Sequence, residues 1–93
     1  MIRNFRDAET KRIARGDFSR RFPAAIQKRA RLCLERIHSA NHPVDLRSFP
    51  AMRLKKLSGA LRDIYSVRVN DQYRVCFEWV DGFAVNVELV DYH

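Results

Sequence analysis

The C-terminal part of the chain alternates apolar and polar residues with a period of two, and this pattern most constrains the fold. Tyr73–Val80 and Phe83–Val90 both follow it, and Asp81-Gly82 stands between them. An Asp-Gly pair between two alternating runs is a strong hairpin signal, because such a turn needs positive φ at both positions. The sequence therefore predicts an antiparallel β-hairpin that must bury one apolar face.

Further segments are predicted to complete one sheet around this hairpin. Ile64–Val69 precedes it across a polar turn at residues 70–72, Met52–Leu57 is another strand candidate, and Ile2–Phe5 alternates at the N-terminus. Alternation predicts a core-facing row made of Val75, Phe77, Trp79, Val85, Val87 and Leu89. The opposite face, which a sheet covered on one side leaves open to a ligand, is predicted to carry Arg68, Arg74, Cys76, Glu78, Asn86 and Glu88.

Two helices are predicted ahead of the sheet. Asp7 is a suitable N-cap and Gly16 a suitable stop for a short helix over Ala8–Arg15. A longer helix is expected from Pro23 to about Ala40, with an apolar stripe formed by Ile26, Ala30, Cys33 and Ile37. An N-terminal strand and two helices packed on one face of a mainly antiparallel sheet make a single α+β domain over residues 1–93.

Prolines bracket the connection between the long helix and the sheet. Asn41–Ala51 contains Pro43 and Pro50, and is predicted to hold at most one helical turn. His38 and His42 are four residues apart, but the second lies beyond the helix and no third ligand is near in sequence. A role as polar helix-end residues is therefore favoured over a metal site, and we expect neither a metal nor a cofactor.

The charge of the chain is divided between its two ends. Lys+Arg is 18 and Asp+Glu is 11, for a net charge of +7. Residues 1–74 hold all 18 cations and seven acids (+11), whereas the last nineteen residues hold four acids and no cation (−4). Such a basic field attracts nucleic acid or an acidic protein, although charge alone does not distinguish these from a solvated surface.

Cysteine usage and hydropathy predict a cytoplasmic protein without a membrane role. Cys33 and Cys76 are isolated from each other, with no CxxC spacing and no signal peptide ahead of them, and are expected to be small core residues. No apolar run approaches the ~20 residues that a membrane-spanning helix needs.

The ending Asp91-Tyr92-His93 carries residue types that suit phosphodiester chemistry. An imidazole exchanges protons near neutral pH, a tyrosine ring stacks on an unpaired base, and a carboxylate can orient the imidazole. Arginines facing the same cleft would stabilise charge on a phosphorus centre, and Arg68 and Arg74 are expected to meet there. A polar tail without function would explain the same three residues.

Three stretches resemble HigB-type toxins of the RelE/ParE superfamily of toxin–antitoxin systems. They are Tyr65-Ser66-Val67-Arg68-Val69-Asn70-Asp71-Gln72-Tyr73-Arg74-Val75-Cys76-Phe77, the ending Val87-Glu88-Leu89-Val90-Asp91-Tyr92-His93, and Arg53-Leu54-Lys55-Lys56-Leu57. The resemblance implies a RelE-like domain that enters the ribosomal A site and cuts messenger RNA. In that reaction the RNA's 2′-hydroxyl attacks the adjacent phosphate, and no metal is required.

The resemblance also implies roles for particular residues. The family's terminal Tyr-His falls on Tyr92 and His93 and its sheet arginine on Arg74, and the implied catalytic set is His93, Arg74, Tyr92 and Lys56. The implied RNA-binding set is Lys55, Arg68, Arg53 and Asp91. Only one of the adjacent lysines can face the site, and the sequence leaves open which. Tyr73 stands where tryptophan is more usual, and the loop lysine and following acid of many relatives are Ser58 and Ala60.

The partners implied by the resemblance are the ribosome, messenger RNA and a cognate antitoxin, expected to be a helix-turn-helix repressor. Operator DNA is expected to be reached only through that antitoxin. The alternative is a ParE-like gyrase inhibitor or an inactive module that only binds the antitoxin. The Asp91-Tyr92-His93 ending weighs against it, because ParE-type chains generally lack this terminal pair.

Overall fold

Within the part of the chain that the structure describes, four antiparallel strands form one sheet in the order in which they occur in the sequence. A computed structural model describes residues 1–57 and 63–92, and its strands are β1 (Lys55–Lys56), β2 (Ile64–Arg68), β3 (Tyr73–Val80) and β4 (Phe83–Asp91). The predicted hairpin between β3 and β4 is confirmed. Its turn has φ of 51° at Asp81 and 84° at Gly82, the positive values that a two-residue turn between twisted strands requires.

A bulge in β4 overturns one position of the predicted core row. Cys76 pairs with Glu88, but Glu78 pairs with Val85, so β4 has one extra residue between these two pairs. Asn86 lies in this bulge with φ of 52°, a conformation that asparagine tolerates better than most residues. Val85 therefore lies opposite Glu78 and faces away from the helices. Ala84 is fully buried in its place, opposite Trp79.

The N-terminal segment lies beside β4, but it does not form a continuous strand. Ile2 and Phe5 make isolated parallel bridges to Ala84 and Val87, one on each side of the bulge. Asn86, in its positive-φ conformation, lies between these two bridges. The amide of Asn86 is still satisfied, because it donates to the Asn4 side-chain oxygen at 2.6 Å.

Both predicted helices are present and cover one face of the sheet. α1 spans Ala8–Ala14, with Asp7 as its N-cap, and α2 spans Ala24–Ser39. The predicted stripe of α2 is buried, and with the apolar faces of β2–β4 it forms the core. Thr10 of α1 is also buried, and its hydroxyl accepts a hydrogen bond of 3.0 Å from the Leu89 amide of β4.

The connection after α2 contains more helix and less strand than predicted. Two 3₁₀ helices span Pro43–Ser48 and Pro50–Met52, each starting at a proline. His42 caps the first of them, its Nδ1 accepting from the Val44 amide at 3.1 Å, as expected of a helix-end residue. The predicted strand over Met52–Leu57 is reduced to Lys55–Lys56, because Arg53 adopts a left-handed conformation (φ 43°) that redirects the chain.

Candidate active site

The Arg74 guanidinium lies buried in the sheet face that the helices leave uncovered. Arg74 as a whole is only 8% exposed. Arg74 Nε donates to Ser66 Oγ at 2.9 Å, and Nη2 donates to the Arg53 carbonyl at 3.1 Å. Within residues 1–57 and 63–92, no carboxylate oxygen lies within 4 Å of this guanidinium. The result is a positive charge with fixed orientation and little surrounding water.

Tyr92 forms one side of this site. The Arg74 Cζ atom lies 5.6 Å from the centre of the Tyr92 ring, and Tyr92 is 51% exposed. Its backbone amide donates to the Gln72 carbonyl at 2.6 Å, while the Gln72 side chain donates to Asp91 at 3.1 Å. The turn between β2 and β3 therefore holds the end of β4 in place. His93, predicted as a catalytic residue, lies outside the described residues, as do Ser58 and Ala60.

Arg68 and Arg74 meet across the sheet, as the sequence predicts. They are directly paired between β2 and β3, which places them on the same face. Arg68 Nη2 forms an ion pair with Asp71 in the adjoining turn. The hydrogen bond from Arg68 lowers the pKa of Asp71, and the charges of Arg68 and Arg53 lower it further. Asp71 thus partly neutralises Arg68, whereas Arg74 has no such partner among the described residues.

The register of β1 distinguishes the two lysines. Lys55 pairs with Ser66, so it shares the face of Arg74. Lys56 pairs with Tyr65 on the helix side, and its Nζ lies 3.1 Å from Asp63 and 6.0 Å from the centre of the Tyr65 ring. The hydrogen bond to Asp63 also raises the pKa of Lys56. Lys55, and not Lys56, therefore shares the sheet face of Arg74, and the catalytic role that the resemblance implies for Lys56 stays a prediction.

Ser66 is the site residue that the sequence interpretation missed. It is completely buried, and its hydroxyl accepts the hydrogen bond that orients Arg74. A polar residue at this position of a strand indicates a hydrogen-bond partner on the same face, which Ser66 shares with Arg68. Its partner could not be named from the sequence, because the contact depends on the pairing of β2 with β3.

The other end of the same sheet face is acidic. The Glu78 carboxylate is buried and accepts a hydrogen bond of 2.9 Å from the Asn86 side chain. Arg6 lies 3.5 Å from both Glu78 and Glu88 and bridges them. Cys76 lies between this end and Arg74, and burial raises the pKa of its thiol. The face is therefore polarised, with its basic end at Arg74, Arg68 and Lys55.

The side chains of His38 and His42 accept hydrogen bonds from backbone amides. His38 Nδ1 accepts from the Ile2 amide at 3.1 Å, and His42 caps a 3₁₀ helix. In the described part of the chain, no three His, Cys, Asp or Glu side chains are grouped so that they could hold a metal ion. No helix in the described ranges is long and apolar enough to cross a membrane.

Comparison with known proteins adds family relationships to this geometry. Residues 3–93 match the model of a family described as the RelE-like toxin of type II toxin–antitoxin system HigB. The chain is 41% identical over 70 residues to Toxin HigB-1 of Vibrio cholerae serotype O1, covering 75% of this chain and 74% of that protein. It is also 34% identical over 74 residues to an uncharacterized protein of Haemophilus influenzae, covering 80% and 73% of the two chains.

Proposed function

This chain belongs to the HigB family of RelE-like toxins and is the toxin of a type II toxin–antitoxin system, and from that starting point we propose that it cleaves messenger RNA in the ribosomal A site. We infer further that the reaction uses the RNA's own 2′-hydroxyl and protein side chains, without a metal ion. Membership of a type II system also implies a cognate antitoxin.

The proposed reaction is an internal phosphoryl transfer. A base removes the proton of the 2′-hydroxyl, and that oxygen attacks the adjacent phosphorus. The bond from phosphorus to the 5′-oxygen then breaks, and an acid protonates this leaving oxygen. The products are a 2′,3′-cyclic phosphate and a free 5′-hydroxyl. Negative charge accumulates on the non-bridging oxygens between these steps, so a cation aimed at them lowers the barrier.

The observation that carries this proposal is the buried Arg74 guanidinium, which has two fixed hydrogen bonds and no carboxylate within 4 Å in the described ranges. A charge that is already oriented before the reaction needs no reorganisation as negative charge develops. The planar fork of arginine also matches a phosphate with two parallel hydrogen bonds. We assign Arg74 the stabilisation of the transition state.

The residues around Arg74 supply contacts to RNA. The half-exposed Tyr92 ring next to Arg74 offers a surface on which an unpaired base can stack. Lys55 and Arg68 contribute positive charge on the same sheet face for backbone phosphates. We add Arg53 to this set, because its charge is close enough to Asp71 to lower the pKa of that carboxyl. Asp91, held by Gln72, fixes the end of β4.

Proton transfer is assigned to His93, which follows Tyr92 directly in the chain. Histidine is a residue type that commonly serves as a general base or acid. Lys55 replaces Lys56 as the lysine of the site, because Lys56 is paired with Asp63 on the other side of the sheet.

Cleavage on programmed ribosomes tests these assignments. Purified toxin is mixed with ribosomes that hold a defined messenger RNA, and the 5′ ends of the fragments are mapped. General acid–base groups contribute about 10²–10⁴-fold, so His93→Ala should slow cleavage by that order. His38→Ala, at an exposed histidine that contacts the Ile2 amide, is the matched control and should cleave like wild type. Wild-type rates for His93→Ala would refute the role of His93.

The family relationship does not favour the alternative of a ParE-like gyrase inhibitor or an inactive antitoxin-binding module. The same preparation distinguishes the functions. Trapped gyrase–DNA complexes, together with intact messenger RNA on ribosomes, would support that alternative and exclude nuclease activity.

A further inference from the structure

A continuous groove runs along the exposed side of α2, separate from the Arg74 face. It consists of two adjoining cavities of about 640 and 430 Å³, which share Leu32, Glu35 and Arg36. The first cavity lies between α2 and the 3₁₀ helix Pro50–Met52, and the second lies between α2 and the 3₁₀ helix Pro43–Ser48. Together they extend along most of the length of α2.

The floor of this groove is apolar. Leu32 is 42% exposed although it is a large hydrophobic residue, and it lies where the two cavities meet. Ala25, Ala51 and Met52 line the first cavity, and Leu46 and Phe49 line the second. Leu32, Ala25 and Ala51 are exposed and Phe49 is half-buried, whereas Met52 and Leu46 are buried. Exposed apolar residues with a polar rim are typical of a surface that binds another protein.

The rim of the first cavity is strongly basic. Lys28, Arg29, Arg36 and Arg68 line it. Glu35, the one acid among its described lining residues, is already paired with Arg31 at 3.5 Å. Among the described residues, no carboxylate lies within 4 Å of Lys28 or Arg29. The Arg36 guanidinium is stacked on Phe49, with 3.9 Å between its Cζ and the ring centre, so its position is fixed.

We propose that this groove docks an acidic, amphipathic segment of the cognate antitoxin. Apolar side chains of such a segment would cover Leu32 and its neighbours, while its carboxylates would pair with Lys28 and Arg29. A protein segment is favoured over RNA, because a phosphate backbone would satisfy the cations and leave the apolar floor unused. The antitoxin follows from family membership, so this proposal does not depend on the proposed nuclease activity.

Docking at this position would reach the edge of the candidate active site. Arg68 lines the first cavity and is also the β-sheet partner of Arg74. Its backbone carbonyl contacts Cys33 Sγ of α2 at 3.8 Å, which joins the floor of the groove to β2. A segment bound near Arg68 would therefore compete with RNA for that side of the sheet.

The test measures binding of purified cognate antitoxin to the immobilised full-length toxin by surface plasmon resonance. Leu32→Glu should speed dissociation about tenfold or more. The substitution removes an apolar contact that the complex would bury, and it adds a negative charge that the acidic segment would repel. Arg29→Glu should slow association and reduce its dependence on salt. The matched controls are Val44→Glu and Lys11→Glu, which make equivalent changes at exposed positions outside the groove and should bind like wild type.

All four substitutions are at exposed residues, and circular dichroism melting verifies that each variant folds. Antitoxin binding by Leu32→Glu and Arg29→Glu within twofold of wild type would overturn the proposal. Unchanged antitoxin binding with weaker ribosome binding would also overturn it, and would assign the groove to RNA. A failure of the nuclease proposal would appear separately, as intact messenger RNA on ribosomes with the wild-type toxin.

Discussion

Ser66→Ala tests whether the orientation of Arg74 matters for cleavage. The substitution removes the only side-chain oxygen that Arg74 contacts in the described structure, at 2.9 Å from Nε and without exposure to solvent. A hydrogen bond to a charged group contributes about 1.5–3 kcal/mol. The Arg53 carbonyl still holds Nη2, so Arg74 keeps one of its two fixed contacts.

The expected result is a fall in kcat of about 10–100-fold, the equivalent of that hydrogen bond expressed as a rate. KM should change much less, because the orientation of Arg74 matters most when charge develops on phosphorus. Single-turnover cleavage on programmed ribosomes measures both quantities. Because the substitution leaves buried Arg74 Nε without a partner, the free energy of unfolding should also fall, by about 1–3 kcal/mol. Rates are therefore compared below the melting transition of each variant.

A double-mutant cycle with Arg74→Lys separates positioning from a general loss of stability. If Ser66 acts only through the guanidinium, the double variant should be little slower than Arg74→Lys alone. Ser48→Ala, at an exposed serine, is the control and should leave kcat unchanged. Fully additive effects of Ser66→Ala and Arg74→Lys on kcat, or an unchanged kcat in Ser66→Ala, would refute this reasoning.

Three further predictions concern other parts of the sheet and core. Lys55→Ala should slow ribosome-dependent cleavage, whereas Lys56→Ala should stay within about twofold, since only Lys55 shares the Arg74 face; the opposite order would contradict the register. Because Arg68 lowers the pKa of Asp71, its ion pair stabilises the fold above the ordinary aspartate pKa and is lost as pH falls through the lowered value. Asp71→Asn should therefore lower the melting temperature at neutral pH and make it fall less steeply as the pH is lowered. A melting temperature with the same pH dependence as wild type would argue against the pair. Burial raises the pKa values of both thiols, so their modification by a disulfide reagent should accelerate only at alkaline pH. Half-buried Cys76 should react before buried Cys33, and rapid labelling of Cys33 at neutral pH would be inconsistent with its packing.

The sequence predicts the main elements because each has a local physical cause. Asp81-Gly82 permits the positive φ values of the hairpin turn, and Asp7 caps α1 through its side chain. The stripe on α2 follows directly from the helical period. The meeting of Arg68 and Arg74 could be predicted because one short turn sets the register of both strands.

The errors arise where register or backbone conformation departs from a regular repeat. Simple alternation places Val85 on the core face because it takes no account of a bulge, although asparagine at position 86 is a residue type that tolerates the positive φ found there. Nothing in the residue type of Arg53 indicates a left-handed conformation, and this conformation delays the start of the strand predicted over Met52–Leu57 to Lys55.

The candidate site was only partly predictable for the same reason. Arg74 and Tyr92 could be named from residue chemistry and family resemblance. In the structure the Arg74 Cζ atom lies 5.6 Å from the centre of the Tyr92 ring. The choice between Lys55 and Lys56 needs the register of β1, which no local pattern contains. The role of Ser66 likewise depends on a contact between strands, because its hydroxyl orients Arg74 of the neighbouring strand. The second group that orients Arg74 is the carbonyl of Arg53, thirteen residues before Ser66 in the chain.

The chemistry of the cut ends tests the central proposal most directly. Messenger RNA is incubated with this toxin on programmed ribosomes, and the termini of both fragments are identified by mass spectrometry. We predict a cut in the A-site codon that leaves a 2′,3′-cyclic phosphate and a 5′-hydroxyl, as attack by the 2′-hydroxyl requires. Cleavage should be abolished in Arg74→Ala. Intact RNA, or a 5′-phosphate at the cut, would contradict the account.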